Sequence, residues 1–206
     1  GESLGEHDAY FTHHGLYPQS VHVPLVLAGP GLEAQAVATA VTSLDLAATL
    51  LDLSGVERRD VAGRSLLRWL DDGRTPEPRF AVSSSARSAS VHFGRHYLLL
   101  ALRGVSDHPF YSAFERHDVR LYDLVDDPDC ERDLSEALPD VARELRARLL
   151  AWLNAGAATG WAEASVDDPV TRQMLRQLGY TGDDVGAGSL WVPDGCAVCV
   201  RFEGER

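Results

Sequence analysis

The stretch VHVPLVLAGPG, residues 21–31, decides the fold class. A brief run of Val and Leu closed by Gly29-Pro30-Gly31 reads as a buried strand. It is apolar almost throughout rather than alternating, as expected of a strand covered on both faces in a mainly parallel sheet. His22, between Val21 and Val23, is expected to sit packed or hydrogen-bonded on one face of that strand. Downstream, TSLDLAATLLDL at 42–53 carries its apolar residues at helical spacing, with Ser43 as N-cap and Gly55 just past the end. Residues 66–70 add a short helical turn, and residues 1–20, polar and rich in Gly and His, read as a loop.

The two prolines within 74–78 mark a change of pattern. Beyond them, strands are predicted at 80–84, at 90–102 with a bend at Gly94, and at 119–124. Strands without intervening helices indicate a small antiparallel sheet. Residues 139–153 form an amphipathic helix whose stripe of Val141, Leu145, Leu149, Leu150, Trp152 and Leu153 would cover that sheet. Residues 156–160 read as a small-residue linker. Residues 168–178 read as a short helix ending at Gly179, and 189–200 as a terminal strand or hairpin. The expected organisation is an α/β portion over 1–75, an antiparallel-sheet and helix subdomain over 76–155, and a C-terminal extension over 156–206.

Composition excludes some roles. The chain has 206 residues and a net charge of −12, which argues against a nucleic-acid backbone as partner. No apolar run has the length of a membrane span. All the basic residues are Arg, the mark of codon bias in a GC-rich genome, so any chemistry elsewhere done by Lys falls to His or Arg. Cys130 stands alone in an acidic turn, and Cys196-x-x-Cys199 is a single CxxC without the second ligand pair a zinc site needs. Asp126-Asp127-Pro128-Asp129 lacks the ligand spacing and Gly of a calcium loop and reads as a turn leading into a helix.

Three segments carry a resemblance. The first holds Gly1-Glu2, Leu4-Gly5-Glu6-His7, His13-His14-Gly15-Leu16-Tyr17 and Val23-Pro24-Leu25. The second is RLYDLVDDPDCERD, residues 120–133, and the third is MLRQLGY, residues 174–180. In this order they resemble the sulfatase family of the alkaline-phosphatase superfamily, over most of residues 1–180. The resemblance implies the C-terminal part of a sulfatase-like α/β sandwich, followed by a small antiparallel sheet subdomain with a packing helix.

The same resemblance implies hydrolysis of a sulfate or phosphate ester. Such chemistry needs a nucleophile, a cation on the equatorial oxygens and an acid for the leaving group. Family members use a formylglycine made within Cys/Ser-x-Pro-x-Arg, and that motif does not occur in this sequence. Their metal ligands, for which calcium is the first candidate, would lie upstream, so the chain is expected to be an inactive fragment that retains no metal. His13 has the spacing to Tyr17 at which relatives place a Lys near the ester oxygens, and His14 is the neighbouring alternative. His7 is expected to pack beside the metal site rather than ligate, and nothing singles out His92, His96, His108 or His117. Alternatives are a non-catalytic binding or assembly domain, and a fragment of a phosphoglycerol or phosphoethanolamine transferase relative with a Thr nucleophile. With its covering elements absent, the first portion is expected to be less self-sufficient than residues 79–153.

Overall fold

A computed structural model describes residues 1–8, 10–12, 15–30, 32–37, 39–56, 61, 63–67, 77–83, 88–102, 115–158 and 169–177. They form a mixed helix and sheet structure with a small antiparallel sheet, divided into two compact units. One comprises Gly1–Leu25, Phe80–Val91 and Arg95–Arg206; the other comprises Val26–Arg79 and His92–Gly94.

The larger unit is organised by a four-stranded sheet, order β3-β4-β5-β6. Its strands are β3 (Arg79–Val82), β4 (Ser88–Phe93), β5 (His96–Ala101) and β6 (Val119–Asp123). The bend expected at Gly94 is the β4–β5 turn, where φ of +61° suits a residue without Cβ. Strands β5 and β6 are antiparallel, with Tyr97 opposite Tyr122, Leu98 opposite Leu121, Leu99 opposite Arg120 and Leu100 opposite Val119. Opposed residues share a face, and faces alternate along a strand. Tyr97, Leu99 and Tyr122 join a core with Leu16, Tyr17 and Cys130. The opposite face, with Leu98, Leu100, Val119 and Leu121, is left to helix α3 (Pro139–Ala158), which packs on β5 and β6. Coverage on both faces explains why HYLLLA in β5 is a continuous apolar run rather than an alternating one.

Helix α3 buries Ala142, Leu145, Leu149 and Leu153, while Val141, Leu150 and Trp152 stay half-buried. Trp152 stacks instead on Phe80 of β3, centroids 5.1 Å apart. The helix runs on through Ala158, so the start of the expected 156–160 linker is helical. Helix α4 (Pro169–Gln177) follows. The expected strand or hairpin at 189–200, with Cys196 and Cys199, lies outside the described residues.

Residues 1–20 are more regular than a loop. Strands β1 (Ser3–Leu4) and β2 (Tyr10–Thr12) pair antiparallel around a 3-10 turn at Glu6–Asp8, and Pro18–Val21 forms the short helix α1. The strand expected at 21–28 is not formed. Val21 closes α1, and residues 22–30 run without regular structure; Val23, Leu25 and Val26 are exposed, Val26 by 85%. A strand exists only through its neighbours, and among the described residues none pairs with this run. His22 is accordingly exposed at the end of α1, its backbone N–H donating to the Pro18 carbonyl at 2.7 Å.

In the smaller unit, α2 (Ser43–Leu53) begins at the residue expected to cap it. Thr42 is the N-cap, in a capping box with Asp45. Asp45 is fully buried. Its carboxylate accepts from the Thr42 backbone N–H at 2.8 Å and the Arg64 N–H at 2.8 Å. Thr49 Oγ1 donates to the Asp45 carbonyl at 2.6 Å and accepts from the Leu66 N–H at 2.8 Å. These bonds tie α2 to residues 64–66. Gly63, at φ +90°, allows the approach: a Cβ there would fall on the Leu44 carbonyl and 2.8 Å from the Asp45 nitrogen.

Candidate functional site

Within the larger unit, the first two segments that carry the resemblance meet. His7 has φ +56° and ψ +32°, a left-handed conformation costly for a residue with a Cβ. That twist lays its imidazole flat on Tyr17, centroids 3.7 Å apart and planes 6° from parallel. Nε2–H donates to the Asp129 carbonyl at 2.9 Å, 122 residues away. Stacking and hydrogen bond together offset the backbone cost.

Tyr17 and Leu16 are both buried, although they begin an otherwise polar stretch. The Tyr17 hydroxyl is 3.3 Å from that of Tyr122 on β6. The Tyr97 hydroxyl on β5 donates to the Leu16 carbonyl. Two neighbouring residues are thus held by opposed tyrosines of adjacent strands. Burial raises the pKa of all three phenols, so they stay protonated at neutral pH and act as neutral hydrogen-bonding groups.

The turn that receives His7 is fixed by its own carboxylates. Asp123 accepts from the backbone N–H groups of Val125 and Asp126. Asp127 accepts from those of Glu131 and Arg132, and Asp133 from those of Leu121 and Ser135. The aspartates of this motif are therefore turn-builders. Asp123 also pairs with Arg95; burial works against its charge, but the Arg95 guanidinium and the two backbone N–H groups hold it below the usual carboxylate range. Cys130, buried at φ +59°, has its thiol pushed up to about 12 by burial and by Asp127 and Asp129. It is no thiolate nucleophile at neutral pH. Glu6 is held below the carboxylate range by the backbone N–H groups of Glu6 and Leu4.

The arrangement is a clamp rather than a reaction centre. It secures the N-terminal segment on both sides of the His13-His14 pair: β2 ends at Thr12, and Leu16-Tyr17 are clamped to the sheet. His13 and His14 themselves lie outside the described residues. His92 Nε2–H donates to the Gly94 carbonyl in the β4–β5 turn, and His117 is buried; neither joins the clamp. His108 lies outside the described residues. Among those described, no three His, Cys, Asp or Glu converge as a metal site. The roles of Tyr97 and Tyr122 were not anticipated. Their signal was the alternation that puts them on the face opposite the helix.

No family model matches the chain. Among curated proteins it is similar to arylsulfatase K of Mus musculus, 27% identical over 169 residues, covering 75% of this chain and 29% of that protein. Arylsulfatase K of Bos taurus is 27% identical over 162 residues, with 75% and 29% covered. That of Xenopus laevis is 26% identical over 156 residues, with 72% and 29% covered. The chain thus spans about 29% of the length of the curated relatives it matches. Among solved structures, a Bacteroides thetaiotaomicron protein from a glycosaminoglycan-metabolism locus superposes with a TM-score of 0.40 at 18% identity, covering 52% of this chain and 24% of that one. A protein solved with its substrate D-glucosamine-2-N,6-O-disulfate gives 0.38 at 19% identity, covering 53% and 23%. Superpositions at that level do not by themselves define a shared fold.

Proposed function

We propose that this chain, a relative of the sulfatases, is the C-terminal part of a sulfuric ester hydrolase and supplies His13 to its active site. The observation that carries the reading is the clamp. The segments that resemble sulfatases are bound to each other through His7 and Asp129, 122 residues apart, and Tyr17 and Tyr122, 105 apart. A device that secures the chain on both sides of a His-His pair suits a residue that must meet a reacting group in fixed geometry.

In this reading His13 faces the ester oxygens, where an imidazolium stabilises charge or protonates the leaving oxygen. His14 is the neighbouring alternative. The nucleophile, and a divalent metal of the calcium type, are supplied by residues outside this sequence. Residues 1–206 alone accordingly turn over no ester. Sulfate esters are the substrate class by kinship with the arylsulfatases. Phosphate esters, whose geometry is similar, are the secondary class.

The test uses the longest polypeptide encoded by the reading frame that contains residues 1–206. It should hydrolyse an aryl sulfate, and His13→Ala should lower kcat by about 10²-fold if the imidazole is the acid. Full activity in His13→Ala with loss in His14→Ala assigns the role to His14. Full activity in both variants refutes the catalytic reading of the segment.

A further inference from the structure

We draw no further inference here: the strongest candidate, the polar pair on helix α1 formed by the buried Gln19 Oε1 and Ser20 Oγ, neither with a hydrogen-bond partner among the described residues, follows directly on Tyr17 of the clamp already described, and nothing in the structure shows a ligand or partner that meets it.

Discussion

Tyr122 is the residue on which the clamp turns, and two substitutions there separate its contributions. The side chain is 1% exposed, lies between Tyr97 and Tyr17 in the core, and shares a hydrogen bond with Tyr17. Tyr122→Phe keeps the ring and removes the hydroxyl. The hydrogen bond between the two hydroxyls is then lost, at a cost of about 1.5 kcal/mol. Tyr122→Ala also deletes the ring beneath Leu16 and Tyr17 and leaves a cavity, costing about 3–5 kcal/mol. The assay is hydrogen–deuterium exchange with peptide resolution. In Tyr122→Phe, exchange should quicken by roughly tenfold in the β1–β2 hairpin and at Tyr17, because about 1.4 kcal/mol is a factor of ten in an opening equilibrium. Helix α3, on the other face of the sheet, should keep its protection. In Tyr122→Ala the N-terminal segment should exchange as if unfolded. Unchanged exchange of residues 1–17 in Tyr122→Ala would refute the idea that the sheet tyrosines hold this segment.

Other substitutions probe the remaining framework. Gly63→Ala combines a left-handed φ with a clash against the Leu44–Asp45 peptide and should destabilise the smaller unit by about 2–4 kcal/mol, read as faster exchange in α2. Asp45→Ala strands the N–H groups of Thr42 and Arg64 and should cost about 2–4 kcal/mol in the same assay. His117 has its pKa lowered by burial and by Arg116 and Arg146. The unfolded chain therefore takes up a proton as pH falls below about 6.5 while the folded one does not, and stability drops until the folded pKa is passed. His117→Asn, which tolerates the φ of +72°, should flatten that part of a urea-denaturation pH series; an unchanged slope would contradict the assignment. Asp123 behaves as a depressed carboxylate, so its contribution is present above about pH 4 and lost as pH falls through its lower folded value, a loss that Arg95→Met should diminish.

The antiparallel subdomain was legible because its signals are local: β-rich runs, Gly94 at a turn, and a helical stripe ending the set. Even there, Val141 and Leu150 were assigned to a buried stripe that the helix leaves half-exposed, since periodicity locates a face only to within one residue either side. Residues 21–28 show the opposite case. Their composition specifies a buried strand, but a strand is a relation between segments, and none of the described residues pairs with that run. The hairpin at β1–β2 escaped notice because it is short and its turn depends on His7 in a left-handed conformation rather than on Asn-Gly. At the site, the motif residues Tyr17 and Asp129 could be quoted from sequence. Their joining through His7, and the contributions of Tyr97 and Tyr122, required the register of β5 on β6. Helix α2 was legible from its apolar spacing, but that spacing does not say which side faces inward, and the helix buries Asp45 and Thr49 while Leu44, Leu50 and Leu53 stay exposed.

The most direct measurement is the pH–rate profile for aryl sulfate hydrolysis by the longest polypeptide of this reading frame, as wild type and as His13→Lys. An imidazolium acting on the ester should give kcat that falls as pH rises through a His-like ionisation, and Lys, charged across that range, should keep activity and move the fall to alkaline pH. A wild-type profile with no ionisation in the His range, and unchanged in His13→Lys, would contradict the placement of His13 at the ester.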